Sequence, residues 1–116
     1  MLTPYTAPYT FLNEGNTSRF LIICDHASNA IPEDYAQLGL QEHDLERHVA
    51  WDMGAAEVTR HLADILGCPA ILSGFSRLLI DPNRGLDDPT LIMKLSDGSI
   101  IPGNLDVARH NNVSAW

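Results

Sequence analysis

Residues 19–25 read RFLIICD, a short unbroken apolar run closed by a charge. A run of this kind is the pattern of a strand buried on both faces. It opens into Asp25-His26-Ala27-Ser28-Asn29, a polar loop followed by Ile31 and Pro32. Open α/β sheets keep their ligand sites at the C-terminal ends of buried strands. One strand therefore indicates both the fold class to expect and the place where chemistry would gather.

The rest of the chain alternates as that class requires. Residues 1–18, rich in Thr, Pro, Tyr and Asn, show no period and read as an extended N-terminal arm lying over the domain. Pro32 opens a short helical turn at 32–35. A helix is expected at 42–48 and a longer one at 51–66. In the longer one Ala55, Val58, Leu62, Ile65 and Leu66 recur at helical spacing, and Gly67 follows as the stop. Strands are expected at 69–72 and 78–80, with a turn at 73–76 between them. A long polar loop runs from Asp81 to Pro89, and Asp97-Gly98 reads as a hairpin turn between 93–95 and 99–101. Residues 105–116 have little apolar pattern and stay unplaced as a tail.

Strand, helix, strand with Gly and Pro punctuation argues for an α/β fold with a mainly parallel sheet. The period-matched apolar positions Leu21, Ile23, Val58, Leu62, Ile65, Ile71, Leu79 and Ile80 are the expected core. Two or three strands are few for a parallel sheet, so residues 19–104 read as the N-terminal portion of a larger α/β domain.

Composition narrows the partners. Seven Lys and Arg against fifteen Asp and Glu give a formal charge of −8 with no basic cluster, which disfavours nucleic acid and anionic membranes. A small acidic ligand remains compatible, because one or two local arginines can bind a carboxylate against the overall field. Cys24 and Cys68 each adjoin an apolar run and read as buried thiols of a reducing compartment. The N-terminus has neither the basic region nor the apolar stretch of a signal peptide, and no run is long enough to span a bilayer, so the cytoplasm is the expected location.

Three groups of residues can carry chemistry. His26, just past the buried strand, suits a metal ligand, a general base or a loop hydrogen-bonder, and the pattern alone leaves these open. His48 and Asp52 stand four apart, so on one continuous helix they would share a face with His43 and His61 nearby in sequence, as ligands or as a solvated surface. Arg77, Asn83 and Arg84 cluster around Asp81. Two guanidiniums and an amide can grip a carboxylate, or the arginines can bridge to Asp81, Asp87 or Asp88. No H-E-x-x-H, G-x-S-x-G or phosphate-loop pattern is present.

Three blocks together are similar to one family. Asp25-His26-Ala27-Ser28-Asn29-Ala30-Ile31-Pro32 resembles the N-terminal signature of the N-formylglutamate amidohydrolases. Trp51-Asp52-Met53-Gly54-Ala55 resembles their second block, and Ser76-Arg77-Leu78-Leu79-Ile80-Asp81-Pro82-Asn83-Arg84 their third. The resemblance implies part of a zinc-carboxypeptidase-like (phosphorylase/hydrolase-like) α/β sandwich around a central mixed, largely parallel sheet. It implies metal-dependent hydrolysis of an N-formyl or N-acyl acidic amino acid such as N-formylglutamate. His26 and Asp52 would be metal ligands for Zn²⁺ or another divalent ion, and Arg77, Asn83 and Arg84 would bind the substrate carboxylates. A carboxypeptidase-like H-x-x-E pair is not present, since Asn29 stands three after His26. A third ligand and the general base are expected outside this chain, with His110 a further possibility for a ligand. Two other readings stand beside this one: a non-catalytic remnant that binds small carboxylates, and a structural fragment that forms a homo-oligomer through its open sheet edge.

Overall fold

The computed structural model describes residues 2–105. The tail beyond Leu105, with His110, lies outside the described residues.

Three strands form the central sheet: β1 (Tyr9–Leu12), β2 (Ile22–Cys24) and β3 (Ala70–Ser73), in the order β1-β3-β2. β2 runs parallel to β3, with Ile22 opposite Ala70 and Cys24 opposite Leu72. β1 runs antiparallel to β3, with Tyr9 opposite Ser73 and Leu12 opposite Ala70. The sheet is therefore mixed, one pairing of each kind among the described residues. β1 falls within the segment expected to be a periodless arm. Its Tyr-Thr-Phe-Leu sequence is rich in aromatic and β-branched side chains, which suit a pleated surface.

Between β2 and β3 the chain crosses over through α2 (Ala55–Leu66), after a single helical turn, α1 (Glu42–Leu45). α2 ends where expected, at Gly67, whose left-handed φ of 62° a residue without Cβ adopts freely. Its start differs from the expected 51. Residues 51–54 are not helical, and Asp52 N–H donates to the His26 carbonyl at 3.0 Å rather than to a helical carbonyl. The α1 helix is likewise shorter than the expected 42–48. His48 and Asp52 therefore share no helix face.

The faces are also reversed from expectation. α2 turns its small residues Thr59 and Ala63 inward, onto a cluster with Cys24, Ala27, Ala70 and Leu72. Its larger apolar residues face out: Val58 is 60% exposed, Ile65 is 65% exposed, and Leu62 and Leu66 are exposed too. Small side chains let the helix lie close to β2 and β3, and only one stripe can do so. On β2, Ile23 is 63% exposed and Leu21 just before it is exposed, so the strand is buried on one face among the described residues, not two. Of the expected core, Leu79 is buried, Ile71 and Ile80 are half-buried, and Leu21, Ile23, Val58, Leu62 and Ile65 are not core positions here.

A second cluster forms away from the sheet, from Leu38, Leu45, Val49, Ala50, Leu78, Leu79 and Ile101. It explains the fate of 78–80. That apolar triplet is not a strand: Leu78 and Leu79 lie buried in a turn, where Leu78 N–H donates to Ser76 Oγ at 3.2 Å and Leu79 N–H to the Ser76 carbonyl at 3.0 Å. Local hydrogen bonds replace the ladder that a third parallel strand would need. Pro32 precedes a 3-10 turn beginning at Glu33, as the sequence suggested. The hairpin is present as β4 (Leu95–Ser96) and β5 (Ser99–Ile100), with Asp97 and Gly98 both at positive φ between them. No helix among the described residues is long and apolar enough to cross a membrane.

Candidate functional site

The loop leaving β2 carries His26, which is buried at the end of the strand. The Asp52 N–H bond to the His26 carbonyl ties the loop before α2 to this strand end. The two side chains then meet, with His26 Nδ1 3.3 Å from Asp52 Oδ2. Asp52 is otherwise more than half exposed, so this pair sits at the boundary between interior and solvent.

Behind His26 lies Asp81, fully buried. The turn at 78–80 delivers it, and its N–H is fixed to the Leu91 carbonyl at 2.9 Å. His26 Nε2 stands 2.7 Å from Asp81 Oδ1, which also accepts the Asn83 N–H at 2.9 Å. The other oxygen, Oδ2, receives Arg77 Nη2 at 3.2 Å and Arg84 Nε at 3.3 Å. Burial works to raise the Asp81 carboxyl. The hydrogen bonds from His26 and from the Asn83 N–H, with the charges of His26 and Arg77, outweigh it and hold the group below its ordinary range.

Arg77 reaches the front of the site as well, where its Nη1 lies 3.7 Å from Asp52 Oδ1. Arg84 extends outward to Thr90 and Asp88. The two arginines therefore do converge beside His26, and they do so on Asp81. Asn83 takes a different position: it lines an open cavity of about 580 Å³ together with His26, Asp52, Cys24 and Thr59, while neither arginine contributes to its wall.

Two further polar residues of the sequence blocks, Asn29 and Ser76, brace the backbone. Asn29 donates to the Leu45 carbonyl at 3.0 Å and accepts the Thr3 N–H at 3.1 Å. Ser76 Oγ donates to the Ala50 carbonyl at 2.7 Å. His48 pairs with Asp97 at 3.2 Å, and His43 with Asp44 at 3.5 Å, both in exposed positions away from His26. Cys24 and Cys68 are free and buried. No set of three His, Cys, Asp or Glu placed to hold a metal ion occurs among the described residues. Asp81 is the residue that reading by sequence passed over as a bridging partner. Its position between two arginines in the third block was the available signal.

The α/β fold thus gathers an imidazole, two carboxylates and two guanidiniums at the end of a parallel strand. The family model for N-formylglutamate amidohydrolase matches residues 18–113, most of the chain. The chain belongs to the N-formylglutamate amidohydrolase family. No curated protein matches it. Among solved structures, the crystal structure of gene product Atu2144 from Agrobacterium tumefaciens is similar, at 34% identity and a TM-score of 0.87, over 96% of this chain and 45% of that one. The chain thus spans less than half the length of that relative.

Proposed function

We propose that this chain carries part of the active centre of a metal-dependent amidohydrolase that cleaves an N-formyl or N-acyl acidic amino acid such as N-formylglutamate, within a carboxypeptidase-like sandwich. The observation that carries the reading is the pair His26 Nδ1 and Asp52 Oδ2, 3.3 Å apart on the wall of an open cavity. Zinc binds nitrogen and carboxylate oxygen at ~2.0–2.2 Å in tetrahedral geometry, which separates neighbouring donors by ~3.3–3.5 Å. The spacing of the pair fits that requirement, and the donor types suit Zn²⁺ or a similar divalent ion. These two residues would hold the ion, and a third protein ligand is not present among the described residues.

When bound, a divalent ion at this place would polarise the substrate carbonyl and lower the pKa of a coordinated water. The rest is work for the chain. The Asn83 side chain, on the same wall, can donate its amide to a substrate carboxylate. Arg77 and Arg84 supply positive charge close behind it, held in place by Asp81.

The test is zinc uptake by the wild type, His26→Ala and Asp52→Ala, measured by equilibrium dialysis, alongside formate release from N-formyl-L-glutamate with and without a chelator. The expected result is uptake by the wild type that either substitution abolishes, with any formate release stopped by the chelator. Uptake that survives both substitutions would exclude the pair as ligands.

A further inference from the structure

The reading above gives the most deeply placed carboxylate of the site only the task of holding the two arginines. Asp81 touches neither the cavity nor the solvent, yet it contacts His26, Asn83, Arg77 and Arg84. Its two oxygens divide the work. Oδ1 faces the imidazole and the Asn83 N–H, and Oδ2 faces the two guanidiniums.

A neutral imidazole carries one proton, and whichever ring nitrogen holds it can only donate. His26 has a carboxylate opposite each nitrogen, so the two compete for that proton. Asp81 is nearer, at 2.7 Å against 3.3 Å, and is out of solvent, whereas Asp52 is more than half exposed and can turn to water. The proton therefore belongs on Nε2. In the neutral ring that leaves the lone pair of Nδ1 directed at Asp52, two acceptors face to face, an arrangement that either a second ring proton or a metal cation between them relieves. A carboxylate that orients a ligating histidine through its second nitrogen is a recurrent device of metal sites.

We propose that Asp81 is a positioning residue: it fixes His26 in the Nε2–H tautomer, aims Nδ1 at Asp52, and thereby sets the zinc affinity of that pair. This inference rests on the metal reading of His26 and Asp52. It also makes Asp81 a group on which the imidazole and the two arginines are both aligned.

The two isosteric and truncating changes separate these tasks. Asp81→Asn keeps an acceptor oxygen for His26 and Asn83 but turns an amide group toward the guanidiniums. Asp81→Ala removes both. The experiment uses the ¹⁵N-labelled full chain, with the imidazole tautomer read by heteronuclear NMR at about pH 9, above the ordinary imidazole range, and zinc affinity read by competition with a chromophoric chelator. The expected result is the Nε2–H tautomer in the wild type and in Asp81→Asn. In Asp81→Ala we expect mixed tautomers and zinc binding weaker by about 10–100-fold. A wild-type Nδ1–H tautomer, or equal zinc affinity in Asp81→Ala and the wild type, would overturn the proposal. If the wild type takes up no zinc, the metal reading falls by itself and the wild-type tautomer alone decides the role of Asp81. If Asp81→Ala fails to fold by circular dichroism, the wild-type tautomer and the Asp81→Asn affinity, expected within a few-fold of wild type, carry the test.

Discussion

His26 Nε2 lies 2.7 Å from Asp81 Oδ1, a contact between residues 55 positions apart that joins the end of β2 to a loop beyond β3. It links the site to the stability of the fold. Asp81 is held below its ordinary value of 3.8 in the folded chain, so folding favours its ionised form. That contribution is complete above the unfolded-state value and is lost as pH falls through the lower folded value. The stability advantage of the wild type over Asp81→Asn should therefore be full at neutral pH and narrow at acid pH below about 4. Urea unfolding at a series of pH values checks this, and a gap that stays constant into strong acid counts against it.

Arg84→Lys keeps a charge and loses the planar fork that bonds Asp81 and Thr90 together. A loss of about 0.5–1.5 kcal/mol is expected for one such partly exposed contact. Thermal unfolding reads the stability, and the Michaelis constant of an active form reads substrate binding. A lower melting temperature with unchanged substrate affinity would assign Arg84 to the scaffold. A raised Michaelis constant with zinc content unchanged would assign it to the substrate.

Burial now ranks the apolar positions differently from their sequence pattern. Leu78 is fully buried and Leu72 nearly so, while Ile23 is mostly exposed. Leu78→Ala and Leu72→Ala should each cost about 2–5 kcal/mol. Ile23→Ala should stay within about 0.5 kcal/mol, the range of surface changes. Denaturant midpoints with unchanged slopes measure all three.

Gly74 tests the seating of β1. A Cβ at this position would collide with the Ala7 carbonyl oxygen, and the Gly74 N–H donates to the Pro8 carbonyl at 2.8 Å. Gly74→Ala must push the N-terminal segment away from the end of β3, with a loss of about 1–3 kcal/mol. Hydrogen exchange should quicken at Thr10 and Leu12 more than at β2 amides. Equal protection in variant and wild type would mean that the backbone accommodates the methyl group.

What could be read from the sequence was what local chemistry decides alone. Gly67 stops α2, Asp97-Gly98 turns the hairpin, and the apolar runs at 22–24 and 70–73 are strands. The readings that failed depend on what packs against what. Val58, Leu62 and Ile65 mark one face of a helix, but periodicity does not say which face meets the sheet, and close approach selected Thr59 and Ala63. Leu78, Leu79 and Ile80 look like a strand because they are apolar, yet the Ser76 side chain and carbonyl curl them into a turn. His26 and Asp52 were visible as candidates for one site, since each sits in its own block. Asp81 was not, because a carboxylate between two arginines reads as a charge partner until its depth is known.

Among the described residues, the order β1-β3-β2 places the last of the three strands to be synthesised at the centre of the sheet. Among the described residues neither β1 nor β2 has a ladder partner until residues 70–73 have left the ribosome, so until then the nascent chain holds two strands that are not paired with each other. His26 waits with them: its strand end is positioned only when β3 arrives, and Asp81 follows a few residues later. The described sheet and the His26–Asp81 contact are thus both supplied by the same short stretch of chain, within about a second of each other at ordinary elongation rates.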